Sequence, residues 1–423
     1  MTVVQLRPLA SPRSEPVPFR LGVNYWPAAK GPTFWKNFDI DEVHSDMNTI
    51  AELGLDVVRV FVNWEDFQPD PEGVKCCALA RLTAFCDAVA AEGLKAIITL
   101  NMGHWGGHNW VPPWLLDSQA VPSAYPTISG GQRVTSGYRN PFTDPVARKA
   151  GVRLVRAISR TVSDHQAVWA YDLGNEVDQF ALGAGAEILK PWFEEMVEAV
   201  RGLDQKHNIT CGFGVQGLFS STATAVSELG ALPTFCSVQL DTSGFALSRG
   251  FLDSDLLPFS CALGTSFTQK PCFASDWSVA TESSTPANAT GAKARTWVAG
   301  EDAAAGFAEE LLPKLLEGGA LGALIGNFSD IDPSIYGQPP YDLQELERNR
   351  GLVRVDGTLK PHGQVVRRFA ESNPQIPATP AARSSLAVLN RDFATEEDPL
   401  EHSRRLYGTF TGQSARFVRG QLG

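Results

Sequence analysis

Asn175 and Glu176 close the run Ala-Val-Trp-Ala-Tyr-Asp-Leu-Gly-Asn-Glu, an apolar segment that stops on an amide and a carboxylic acid. A strand interior filled by Val168, Ala170 and Leu173 has no use for an acid, so the spacing places Glu176 where the chain emerges into a cleft. A carboxyl group there can donate or accept a proton. The competing assignment makes Glu176 a helix cap or the partner of an arginine. A second constellation lies in residues 101–114, where Trp105, Trp110 and Trp114 alternate with His104, His108 and Asn109. Flat indole faces suit sugar rings or other flat apolar ligands, and the alternative is that they pack a long loop against the fold. His104 and His108 have helical metal-ligand spacing, but Gly103, Gly106 and Gly107 oppose a helix and no Glu stands between the two histidines. No metal is expected.

Elements that would position these residues alternate along the chain. Strand patterns fall near 21–25, 56–62, 95–101, 167–174, 209–214, 234–241, 271–276 and 321–328. Helical patterns fall near 40–53, 78–93, 145–163, 186–206, 253–268, 301–318 and 359–371, with a weaker one at 222–229. Eight such units are the count of an α/β fold of the (β/α)8 TIM-barrel type, whose active sites form from the loops after the strands. An open doubly wound sheet would show a glycine-rich phosphate loop after an early strand, and none is present. The reading is one barrel over 20–372, an N-terminal extension over 1–19 and a short C-terminal extension over 373–423. The Ser-, Thr-, Ala- and Gly-rich stretch 278–300 reads as a long loop at the barrel mouth.

Composition excludes several classes. With 43% hydrophobic and 20% charged residues among 423, and no apolar run of membrane-spanning length, no membrane association is expected. A net charge of −11 disfavours nucleic acid as a partner and leaves a small-molecule substrate. The seven cysteines show no disulfide spacing; Cys236 and Cys272 read as small core residues, and the Cys76-Cys77 pair is not a metal motif. Residues 1–19 carry Arg7, Arg13 and Glu15 among four prolines without an apolar signal core, which gives the expectation of a cytoplasmic protein. No phosphate loop or dinucleotide fingerprint is present, so no cofactor is expected.

With the strand ends named, the chain resembles the cellulase-like glycoside hydrolases of clan A, a group of cellulases, mannanases and β-glycosidases. The resemblance runs from about residue 20 to 371 and is carried by Gly22-Val-Asn-Tyr25-Trp26-Pro27, Val58-Arg59-Val-Phe61 with Trp64, and Gly103-His104 through Trp114. It continues in Gly174-Asn175-Glu176, Lys270-Pro271, Pro339-Pro340-Tyr341-Asp342 through Glu347, Gly351-Leu352, Asp356-Gly357 and Lys360-Pro361. It implies that Glu176 is the general acid/base, that Asn175 bonds the sugar hydroxyl beside the anomeric carbon, and that Arg59 braces the nucleophile. His104, Trp105, Asn109, Trp110, Asp241, Trp277 and Asn327 follow as candidate sugar contacts at the strand ends.

The chain departs from that pattern in one pocket. Asp276 stands where the family places its nucleophilic Glu, Ser278 where a Gly is usual, Leu240-Asp241-Thr242 where a His and Tyr occur, and Gly326 where a tryptophan floor is expected. A carboxyl pair at about 5–5.5 Å gives retention of configuration and one at about 6.5–9.5 Å admits a water and gives inversion. Asp276 could therefore be a nucleophile, an inverting base or a relic, and a one-residue slip in the alignment would bring in Glu282 or Asp330. Three functions fit: a glycosidase acting on a small β-glycoside, a non-hydrolytic barrel doing acid/base chemistry on a biosynthetic intermediate, and a non-catalytic carbohydrate binder.

Overall fold

The computed structural model describes residues 17–180, 185–214, 218–219, 232–240, 247–282, 298–378 and 399–412. Eight parallel strands make a barrel wall: β1 (Arg20–Asn24), β2 (Val57–Phe61), β3 (Lys95–Thr99), β4 (Val168–Asp172), β5 (Asn208–Thr210, resuming as Gly212–Gly214), β6 (Cys236–Gln239), β7 (Cys272–Trp277) and β8 (Gly322–Ile325). Neighbours in sequence pair along the wall, and β8 pairs with β1. The first half of β5 pairs with β4 and its second half with β6. Beside the interruption at Cys211, the Gly212 N–H is shared between the Gly174 carbonyl at 2.9 Å and the Asp172 carboxylate at 3.0 Å.

Helices α1 (Ile40–Glu52), α2 (Cys76–Ala91), α3 (Pro145–Val162), α4 (Ala186–Arg201), α5 (Leu256–Thr268), α6 (Glu301–Glu317) and α7 (Pro361–Glu371) surround the wall, and α8 (Pro399–Phe410) follows. Their starts follow local chemistry. Asp39 caps α1 by accepting from Asp41 and Glu42, and Asp144 caps α3 ahead of Pro145 at its first position. The face of α3 bearing Ala147, Ala150, Leu154, Val155, Ile158 and Val162 is buried, the 3.6-residue period expected of a helix packed on a sheet. The pattern at 222–229 lies outside the described residues. The C-terminal helix α8 leans on α5 through Tyr407 and Phe410, whose rings lie 5.0 and 5.5 Å from that of Phe259. Among the described residues no helix is long and apolar enough to cross a membrane.

The barrel interior is apolar at one end and polar at the other. Val57, Ile97, Ala170, Phe235, Phe273 and Leu324 form a closed plug. Two residues further along three of these strands, on the same face, stand Arg59, Thr99 and Asp172, all buried. The plug excludes water from beneath the polar layer, so every charge there needs a partner in the protein.

Strand β7 carries a β-bulge. On the β6 side, Val238 pairs with Ala274 and Gln239 with Asp276, which leaves Ser275 as an extra residue; the pairing with β8 shifts over the same stretch. Phe273 faces the barrel axis, and unbroken alternation would send Asp276 outward and Trp277 inward. The bulge reverses this: Trp277 joins the layer between wall and helices, 6.1 Å from the ring of Phe307, and Asp276 opens toward the axis.

After β3 the chain builds a small sheet from His104–Trp105, His108–Trp110, Thr127–Ser129 and Gln132–Val134. Two hairpins in it turn on Gly106-Gly107 and Gly130-Gly131, all with positive φ, the glycine-dependent two-residue turn that suits strand twist. Arg133 ties this sheet to the loop after β8 by a two-pronged pair with Asp342.

Candidate active site

Arg59 is the hub of the polar layer. Its Nε donates to Thr99 Oγ1 at 2.8 Å and Asp172 Oδ2 at 3.1 Å, its Nη2 to Asp172 and to Asn175 Oδ1 at 2.8 Å, and its Nη1 to Asn24 Oδ1 at 3.4 Å. Gln239 Nε2 donates to the same Asn175 oxygen at 2.7 Å, so the amide orientation is fixed and Asn175 Nδ2 donates to the His104 carbonyl. Asn175 therefore has one amide N–H left to give.

Glu176 follows with φ at 43°, in the left-handed region that residues with side chains seldom occupy. Its carbonyl accepts from Gln179 and Phe180 and so starts a single helical turn, Val177–Phe180. The carboxyl group is held well above the usual carboxylate range, first by burial, then by the negative charges of Asp178, Asp276 and Glu347, against the opposing pull of Arg59. The shift favours the protonated form of Glu176 over what an ordinary carboxyl group would show. Asp178 is itself fixed by the Gly214 N–H at 2.8 Å.

Asp276 is partly exposed at the end of β7. Asn24 Nδ2 donates to its Oδ2 at 3.3 Å and also reaches the carbonyls of Ser275 and Ile325. The absence of a side chain at Gly326 is what admits this group, since a Cβ there would lie 2.8 Å from Asp276 Oδ1 and 2.5 Å from Ser278 Oγ. The other two acids named from the sequence take no part. Asp330 is engaged by Lys360 at 2.6 Å and by the Gly351 N–H at 3.0 Å, and Glu282 is exposed on the outgoing loop.

The remaining sequence-named residues separate into those near the cleft and those beneath its surface. His104 Nδ1 bonds Asn109 Oδ1 at 2.7 Å; Asn109 Nδ2 is committed to Ser123 and Tyr138, so its oxygen accepts and His104 Nδ1 carries the proton. Burial lowers the His104 pKa to about 4, leaving the ring neutral. Asn109 is fully buried and positions His104 rather than meeting a ligand. Trp105 and Trp110, 8% and 6% exposed, do not present open faces: Trp105 lies 4.2 Å from Trp26 and 6.2 Å from Tyr341, and Trp110 Nε1 donates to the Trp105 carbonyl. Packing wins because both rings fall within reach of the Trp26, Phe61 and Tyr341 surface, and burying them there removes more apolar area from water than a solvent-facing pose would. Trp277 is turned away from the cleft by the bulge. Asn327 is buried beside Gly326, with its Oδ1 lacking a hydrogen-bond partner among the described residues. Asp241 lies outside the described residues.

Asn24, Asp172, Asp178, Gln239, Ser278 and Glu347 join the site without having been singled out as site residues. Asn24 and Glu347 sit inside motifs already quoted, and Asp178 follows Glu176 by two residues; Gln239 gives no signal in an otherwise apolar strand. Neither histidine of the 104/108 pair is free to ligate with its Nδ1, since His108 Nδ1 bonds the Gly106 carbonyl at 2.6 Å. Among the described residues no group of three His, Cys, Asp or Glu side chains could hold a metal. A groove of about 680 Å³ follows the outside of α3, lined by Arg148, Lys149, Arg153, Arg156 and Arg160 with Glu195. It holds no paired carboxylates and is separate from the barrel mouth.

The sequence model of the family Cellulase (glycosyl hydrolase family 5) matches residues 22–225. A mannan endo-1,4-beta-mannosidase A from Emericella nidulans is 26% identical over 221 residues, 49% of this chain and 52% of that protein, so the chain spans about half the length of the curated relative it matches. Among solved structures, GH5_18 from Streptomyces cattleya in complex with Manb1-4GlcNAc superimposes with a TM-score of 0.72 at 20% identity, covering 93% of this chain and 92% of that one. The exo-beta-1,4-mannosidase Op5Man5 from Opitutaceae bacterium strain TAV5 gives a TM-score of 0.72 at 25% identity, covering 92% of this chain and 66% of that one.

Proposed function

We propose, for a chain that belongs with the cellulase-like glycoside hydrolases of clan A, hydrolysis of a small β-mannoside with Glu176 as the proton donor and Asp276 as the second carboxylate. One observation carries the reading: a buried acid at the end of β4, its proton held more tightly by burial and by the charges of Asp178 and Asp276, shares the barrel mouth with the partly exposed carboxyl group of Asp276. Cleaving a glycosidic bond needs that division, one group to protonate the leaving oxygen and one to attack or to activate water. Asn175 presents an amide N–H to the sugar hydroxyl beside the anomeric carbon, while Arg59 holds Asn175 and, through Asn24, the placement of Asp276. The mannose preference is supported by the mannosidases among the similar proteins. The test is nitrophenol release from 4-nitrophenyl β-mannoside, β-glucoside and β-galactoside; the mannoside should be cleaved fastest, and silence on all three would sink the reading.

Two measurements follow from the geometry. Glu176 must be protonated to act, so the alkaline limb of kcat/KM should lie well above the ordinary carboxylate value of about 4.3. Asp178→Asn removes the largest like-charge neighbour, makes ionisation of Glu176 easier and should move that limb to lower pH. An unmoved limb would show that the limb belongs to another group. Gly326→Ala should force Asp276 and Ser278 aside and, at a displacement near 1 Å, lower kcat by about a hundredfold with little change in Tm.

A further inference from the structure

Protonating a glycosidic oxygen fixes where the departing group must lie: beside Glu176, with that oxygen within hydrogen-bond reach of the carboxyl group. The surface next to Glu176 is therefore the surface the leaving group meets. Glu176 Oε1, Asp178 Oδ2 and Gln179 Cγ all fall within 3.5 Å of the one point that a Cβ on Gly214 would occupy. Gln179 Oε1 in turn accepts the hydroxyl proton of Tyr125, a residue of the loop after β3, at 2.5 Å.

Tyr125 differs from the tryptophans of the same loop. Trp105 and Trp110 are buried in the cluster that holds Trp26 and Tyr341, whereas Tyr125 is only half-buried. Its ring is nevertheless pinned at three points. The His104 ring lies 4.4 Å away, the hydroxyl is tied to Gln179, and the backbone N–H donates to Ser123 Oγ at 3.2 Å. Ser123 Oγ also accepts from Asn109 Nδ2 at 2.8 Å, so the buried amide that fixes His104 sets the Tyr125 backbone as well. Tyr138 joins the same loop to the turn after Glu176 by donating to the Phe180 carbonyl at 3.2 Å. A ring already held in place loses little freedom when a ligand covers it, which makes it an efficient platform.

The hydrogen bonding has a direction. Gln179 Nε2 donates to Asp178 Oδ2 at 3.4 Å, which turns its Oε1 toward Tyr125. The Tyr125 proton is thus spent on Gln179. Burial, followed by the negative charges of Glu176 and Asp178, raises the phenol pKa, so the oxygen stays protonated and offers a ligand only its lone pairs.

We propose that Tyr125 is the residue that recognises the leaving group: a second pyranose lays its C–H face on the phenol ring and donates a hydroxyl or N–H to the Tyr125 oxygen. This rests on the glycosidase reading. A simple alkyl aglycone offers neither the face nor the donor, so Tyr125 sets which glycosides are preferred without taking part in bond cleavage.

The experiment compares β-1,4-mannobiose with methyl β-D-mannopyranoside, which share the mannosyl ring and the need for a proton donor but differ in the group that leaves. Tyr125→Ala should lower kcat/KM on the disaccharide by about ten- to hundredfold, chiefly through KM, and that loss should exceed the loss on the methyl glycoside by about tenfold or more. Tyr125→Phe keeps the ring and should recover most of the disaccharide rate. Titration calorimetry in the Glu176→Gln background reads the same contact without turnover: adding Tyr125→Ala should weaken mannobiose binding by about tenfold. Equal losses on the two glycosides, or an unaltered mannobiose Kd, would overturn the inference and leave Tyr125 as a brace for the turn that follows Glu176. A wild type that cleaves neither glycoside overturns the glycosidase reading instead, while the Kd comparison still decides whether Tyr125 holds a sugar.

Discussion

Glu176→Gln is expected to lower kcat/KM on an unactivated β-mannosyl disaccharide by about 10²- to 10⁴-fold, the range a positioned proton donor supplies. The amide keeps the volume and lacks the acidic proton, so substrate affinity should change little. The discriminating comparison is the leaving group. A dinitrophenyl aglycone departs without protonation, so the same variant should retain far more of its activity on that substrate. Equal losses on both would mean that Glu176 does something other than protonate a leaving oxygen, and would favour the non-hydrolytic use of the cleft. The substitution should leave Tm unchanged or raise it, because the ionisable group removed is crowded by Asp178, Asp276 and Glu347.

Arg59→Met should have the largest effect on stability. Arg59 and Asp172 are each 1% exposed and lie above a dry apolar plug, so removing the cation strands a carboxylate that cannot reach water. Breaking a buried pair from one side typically costs about 3–5 kcal/mol, and urea denaturation should read a loss of that order. Arg59→Lys should restore only part of it. An ammonium cannot reproduce the planar fork that serves Thr99, Asp172, Asn175 and Asn24 together. Pairing Arg59→Met with Asp172→Leu should recover much of the stability but not the activity, since Asn175 and Asn24 would still lose their anchor. If the double variant were no more stable than the single one, the stranded Asp172 charge would not be the cause.

The barrel was legible because hydrophobic runs and helical periods are local properties, and the place of Glu176 past a strand end was legible because it closes one such run. What escaped depends on partners distant in sequence. Alternation from Phe273 sends Trp277 into the cleft, and only the pairing of two β7 residues against one on each neighbour reverses it. Asp330 ends a strand much as Glu176 does, yet Lys360, 30 residues later, claims it. Trp105 of the β3 loop looks like a sugar platform until Trp26 and Tyr341, from opposite ends of the sequence, pack against it. The departures at 276, 278 and 326 could be read as separate losses; side by side, the missing side chain at 326 is the space that Asp276 and Ser278 use.

The φ of 43° at Glu176 has a consequence for anyone engineering this protein. A residue with a side chain held in that region costs about 1–3 kcal/mol, and glycine relieves most of it. A screen for heat resistance that never assays turnover will therefore enrich Glu176→Gly, trading the proposed proton donor for a more comfortable backbone. Libraries aimed at thermotolerance should hold codon 176 fixed and seek their gains on the outer faces of the helices.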